Sequence, residues 1–138
     1  MAEPHFETTT LENAAERPAP DGSMIRLLPT LKGGGLCHCT LQQGQVSRPV
    51  RHRSIEEIWY VLEGEGEVWR ETKPPSAPVR VSPGTCLTIP PRTGFQFRNT
   101  GANPLRILIA TMPPWPGKEE AEPSTGMWQS TFGHEAEP

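Results

Sequence analysis

Proline placement does most to limit what this chain can fold into. Of its 138 residues, 17 are proline, bunched at 18 and 20, 74, 75 and 78, 90 and 91, and 113, 114 and 116. Proline fixes φ and has no amide hydrogen, so it stops helices and cannot pair inside a sheet. Further turn signals lie at Asp21-Gly22, Lys32 to Gly35, Gln43-Gly44, Glu63 to Gly66 and Thr100 to Pro104. Between these breaks lie short runs rich in branched and aromatic residues: Met24–Leu28, Leu36–Gln42, Ile55–Leu62, Val68-Trp69, Val79–Val81, Cys86–Ile89, Phe95–Asn99 and Leu105–Ala110. About eight short strands separated by turns predict an all-β sandwich or barrel.

The ends differ from the middle. Residues 1–20 form an expected flexible arm with a helix-like patch over 11–16, which Pro18 and Pro20 stop. Residues 21–112 form the expected barrel. Residues 113–138 are irregular, yet Trp115 and Trp128 are costly to leave in water, so part of this segment is expected to fold back. Trp115 then either closes one end of a cavity or covers a sheet edge. The last six residues, 133–138, are expected to be disordered.

Charge follows the same division. The middle carries eleven Lys/Arg against seven Asp/Glu, while both ends are acidic. That basic excess is too sparse for a nucleic-acid stripe and suits a small ligand, anionic or aromatic. No apolar run approaches the roughly 20 residues of a membrane helix. The acidic start lacks the layout of a signal peptide. Three cysteines without a secretory signal predict a cytoplasmic protein with no disulfide framework.

Two stretches carry a family pattern: Gly44-QVSRPVRHRSIEEIWYVLE-Gly64 and Gly84-TCLTIPPRTGFQFR-Asn99. Their spacing resembles the paired motifs of the cupin superfamily. The first motif runs Gly, five residues, His-x-His, three or four residues, Glu, six residues, Gly. Here it has Val50 for the first His, followed by His52, Glu57 and Gly64. The second has Gly84, Pro90, Arg92 in place of Gly, Phe95 in place of His, and Asn99. The resemblance implies a double-stranded β-helix, or jelly-roll barrel, to which the composition adds irregular N- and C-terminal arms, and it implies a homodimer.

In that family three imidazoles and a carboxylate usually hold Fe, Mn, Ni, Zn or Cu. Val and Phe donate no lone pair, and two protein ligands rarely hold a transition metal firmly. We therefore expect no cofactor. The alternative is a weakly held divalent metal on His52 and Glu57, with His38 as the best recruit. Six residues separate Glu57 from Gly64, which makes Glu57 rather than Glu56 the family carboxylate.

Strand alternation places Val50 and His52 on one face, with Glu57, Trp59 and Val61, and Phe95, Phe97 and Asn99, lining the interior. Ile58, Tyr60 and Leu62 then form an outward apolar strip suited to association. Cys37 and Cys39 lie together beside Leu41, as packed core residues do, and His38 faces away from them. Arg92 sits in a loop from which it could reach a carboxylate or phosphate. The leading functional expectation is non-redox acid–base chemistry by Glu57 and His52 on a small molecule, of the isomerase, cyclase, dehydratase or decarboxylase kind. Val50, Trp59, Phe95, Phe97 and Arg92 would bind the substrate. The alternatives are a metal-dependent oxygenase or isomerase with an unusual ligand set, and a non-catalytic ligand-binding or sensing module.

Overall fold

A computed structural model describes residues 4–133. Its strands are β1 (Glu16–Pro18), β2 (Met24–Leu31), β3 (Gly34–Leu41), β4 (Val50–His52), β5 (Glu56–Glu63), β6 (Gly66–Arg70), β7 (Val79–Val81), β8 (Cys86–Ile89), β9 (Phe95–Asn99), β10 (Leu105–Met112) and β11 (Ala121–Pro123). Two single-turn 3-10 helices, Leu11–Asn13 and Lys118–Glu120, are the helical elements among the described residues. None is long and apolar enough to cross a membrane.

The strands form two facing sheets. One has the order β1-β2-β3-β10-β5-β8 and the other β11-β4-β9-β6-β7, and the neighbouring strands run antiparallel. This is the expected all-β jelly roll. Alternation does the sorting: along β5, Glu57, Trp59 and Val61 are buried, whereas Glu56, Ile58, Tyr60 and Leu62 are exposed. Along β10, Leu105, Ile107, Ile109 and Thr111 point inward. Trp59, Phe95 and Phe97 centre the core, with Leu41, Ile89, Leu105 and Ile107 around them. Each such side chain contributes roughly 1.5–3 kcal/mol by leaving water.

Two motif residues act through the backbone. Gly64 adopts φ +85°, and a Cβ there would collide with the Pro104 carbonyl and the Leu105 backbone. Asn99 donates through Nδ2 to the carbonyls of Leu41 (2.9 Å) and Asn103 (2.8 Å), while its Oδ1 accepts from Gly101 N (2.9 Å). It thereby closes the 100–104 turn.

The ends are more ordered than composition suggests. The arm expected over residues 1–20 already contributes β1, which pairs Glu16 with Arg26 and Pro18 with Met24. The helix-like patch over 11–16 shortens to the 3-10 turn. At the other end β11 pairs with β4 and extends that sheet. Of the residues expected to be disordered, 134–138 lie outside the described residues.

Candidate functional site

Three strands and one loop meet at the site. β4 brings in Val50 and His52, β5 brings Glu57 and Trp59, and β9 brings Phe95 and Phe97. The loop after β10 adds Trp115. Val50, His52, Glu57, Trp59, Phe95 and Phe97 are all buried; His52 is 5% exposed and Glu57 6%. His52 Nδ1 lies 3.8 Å from Glu57 Oε1. The same oxygen accepts a 2.9 Å hydrogen bond from the Trp59 indole N–H. The rings meet edge to face, with His52 at 5.1 Å from Phe95 and 5.2 Å from Trp115, and Trp59 at 5.5 Å from Phe95 and 5.0 Å from Phe97.

This apolar box governs protonation. Burial pushes the Glu57 carboxyl up to about 8; the Trp59 hydrogen bond opposes the rise and the Asp21 charge adds to it. Burial pulls His52 down to about 4, with Glu120 acting weakly the other way. At neutral pH the contact therefore joins a protonated carboxyl to a neutral imidazole, despite its ion-pair distance. His52 Nδ1 has no hydrogen-bond partner among the described residues.

The donor set does not fit a transition metal. Val50 and Phe95 stand in the two remaining family ligand positions, and they face each other as paired residues of β4 and β9. His38 cannot replace them. It pairs with Arg26 and Leu108 on the outer face of the other sheet, and burial and Arg106 lower its pKa. Among the described residues no group of three His, Cys, Asp or Glu could hold a metal ion.

Arg92 is exposed, with φ +59°. Its backbone N–H donates to the His52 carbonyl (2.8 Å), so it fixes the end of β4 through its main chain. The left-handed turn also explains why glycine is the family choice there.

Asp21 is the inward residue that sequence reasoning missed. Its Oδ1 accepts from Ser23 N (2.9 Å) and Ser23 Oγ (2.6 Å), and burial raises its pKa. The Asp-Gly pair had signalled only a turn. Cys37, beside this interior, has its thiol pushed up to about 12 by burial, and Cys39 is raised likewise. Both fit the role of packed, unreactive side chains. Two surface hollows, about 650 Å³ along the N-terminal arm and about 280 Å³ beside Glu71 and Thr88, are not lined by His52 or Glu57.

A double-stranded β-helix with two Gly-bounded motifs at this interior defines a class, and residues 37–111 match the family model described as "Cupin domain". The chain belongs to the cupin family. An uncharacterized protein of Methanocaldococcus jannaschii is 33% identical over 100 residues, covering 69% of this chain and 77% of its own length. Among solved structures, Pac13 of Streptomyces, a nucleoside dehydratase solved with uridine, superposes with a TM-score of 0.70 at 10% identity, covering 88% of this chain and 92% of Pac13. A predicted oxalate decarboxylase of Thermotoga maritima gives a TM-score of 0.66 at 16% identity, covering 78% and 99%.

Proposed function

We propose that the chain is a small-molecule cupin enzyme performing non-redox acid–base chemistry with Glu57 and His52. One observation carries this reading: a carboxyl kept protonated to about pH 8 lies 3.8 Å from a neutral, unpartnered imidazole inside an aromatic box. Glu57 is the general acid and His52 the proton acceptor. An imidazole shifted this far down is a weak base in isolation. When Glu57 gives up its proton as His52 takes one, however, the product is a close ion pair in low dielectric, and each charge stabilises the other. Return of the proton from His52 to Glu57 resets the site.

Elimination of water needs both roles: an acid for the departing hydroxyl and a base for the neighbouring C–H. Isomerisation, cyclisation and decarboxylation draw on the same pair. The likeness to Pac13 makes dehydration the first reaction to test, and Trp59, Phe95 and Phe97 supply apolar walls for a ring. The test uses ring-bearing β-hydroxy ketones, followed by NMR for loss of water and for solvent deuterium uptake beside the carbonyl. Wild-type protein turns one of them over, and Glu57→Gln lowers turnover roughly a hundredfold or more while binding is nearly kept. Binding without turnover in the wild type would make the chain a sensing module instead.

Assembly as a homodimer is part of the same reading. Ile58, Tyr60 and Leu62 are 42%, 46% and 40% exposed in one row on β5, and Leu36 nearby is 42% exposed. Such a strip favours pairing with a second copy.

A further inference from the structure

His52 and Glu57 are shut away from solvent, and Trp115 is one of the two rings that pack edge-on against His52. Its ring stands edge-on to the imidazole at 5.2 Å and 81°. Yet residues 113–116, with prolines at 113, 114 and 116, take part in no hydrogen bond among the described residues. On one side of this strap, β10 is held by β3 and β5. On the other, Glu120 Oε1 accepts from Ser54 N (2.6 Å), Ser54 Oγ (2.7 Å) and Ile55 N (2.6 Å). The strap is anchored at both ends, and between them its half-buried indole is kept in place by apolar packing against the core and by edge contact with His52, without a hydrogen bond among the described residues.

The arginines of the surrounding elements are largely engaged with other groups or exposed. Arg51 pairs with Glu71, and Arg48 is committed to the carbonyls of Pro20 and Phe132. Arg53 and Arg92 are exposed. The ionisable groups turned toward the interior are the acids Asp21 and Glu57, the two thiols and His52. A carboxylate or phosphate brought here would lose its hydration and meet two carboxyls, while the charge of Arg48 is already engaged by Asp21.

We infer that Trp115 occupies the ligand's own seat, and that the site takes an uncharged ring-bearing molecule whose ring displaces the indole from His52. This rests on the acid–base reading of the site and names its substrate class. The ligand ring gains the edge-on contact that Trp115 gives up, while the strap swings on its two anchors. The Arg92 side chain has no part in it.

Free indole is the probe, with indole-3-carboxylate as its anionic match. Binding is read from the His52 imidazole signals by NMR and from the Trp115 resonance of 5-fluorotryptophan-labelled protein. In wild type, indole shifts both signals together. In Trp115→Ala it binds at least tenfold more tightly, because it no longer competes with a tethered ring. Indole-3-carboxylate moves neither protein's signals at matched concentration. If Trp115→Ala does not fold, Trp115→Leu keeps an apolar side chain there, and the wild-type titration stands without either variant. The inference is overturned if wild-type signals stay still while the variant binds indole, since Trp115 is then a fixed wall. Absence of indole binding in both, or equal binding of the carboxylate, also overturns it. These titrations read binding alone, so their failure leaves the acid–base assignment intact. Unchanged turnover in Glu57→Gln would sink that assignment, and the ring would then be a bound ligand rather than a substrate.

Discussion

Moving the Glu57 carboxyl out of water makes the folded chain hold a proton that the unfolded chain releases. Its pKa rises from 4.5 to about 8, so the stability tied to this group is lost as pH climbs through that interval. His52, lowered from 6.5 to about 4, works the other way and costs stability as pH falls through its own window. The two oppose each other below about 6.5, which leaves the Glu57 slope visible from there to about 8. We expect thermal scans of wild type to show the melting temperature falling across that upper range, and Glu57→Gln to flatten the fall. A second residue-level prediction concerns Arg92, whose left-handed φ of +59° costs a side-chain-bearing residue roughly 1 kcal/mol. Arg92→Gly relieves that strain but adds backbone freedom to the unfolded chain, so a net gain below about 1 kcal/mol is expected in urea titration. A third follows from the facing pair Val50 and Phe95. The double change Val50→His with Phe95→His restores two imidazoles beside His52 and Glu57, and calorimetric titration with Zn²⁺ or Mn²⁺ is expected to give near-stoichiometric binding that wild type lacks.

At the scale of elements, the C-terminal segment does two separate tasks. Trp115 sits against His52, and Ala121–Pro123 pairs with β4 to cover the edge of that sheet. Glu120 joins the two. Burial acts to raise its carboxyl, but hydrogen bonds from Ser54 and Ile55 outweigh that and leave its pKa lowered. Its stabilisation is therefore complete above the ordinary glutamate range and is lost as pH falls through the lowered folded value. Glu120→Ala leaves three donors without their acceptor, of which the Ile55 amide is buried and those of exposed Ser54 can turn to water, and a loss of about 1–3 kcal/mol is expected in chemical denaturation at pH 7. Further along, Gln96 holds the tail: its Nε2 donates to the carbonyls of Ser47 and Trp128, and its Oε1 accepts from Met127 N and Trp128 N. That grip accounts for a polar, outward-facing residue being 0% exposed.

For the whole molecule, the outer row of Ile58, Tyr60 and Leu62 sets the expected assembly. Tyr60→Glu places a charge in the middle of the row and is expected to turn a dimer into a monomer by light scattering, with the fold unchanged because Tyr60 points away from the core. The same alternation made much of this protein legible in advance. A period of two assigned Glu57, Trp59 and Val61 to the interior and Ile58 and Tyr60 to the outside, and motif spacing singled out Glu57 over Glu56. Proline and glycine positions marked the turns, because backbone limits act locally. Contacts made by residues distant in the chain were not legible in this way. Asp21 read as a turn residue until the fold turned its carboxyl inward, and His38 read as a spare ligand until β3 pairing placed it on the far side. Glu120 had no sequence signal for the amides of Ser54 and Ile55, which lie 66 and 65 positions away. The sequence alone determined strand, turn and face, since those depend on neighbouring residues. Which groups share a low-dielectric interior, and so which of them keep or lose a proton, depended on how the two sheets closed over one another.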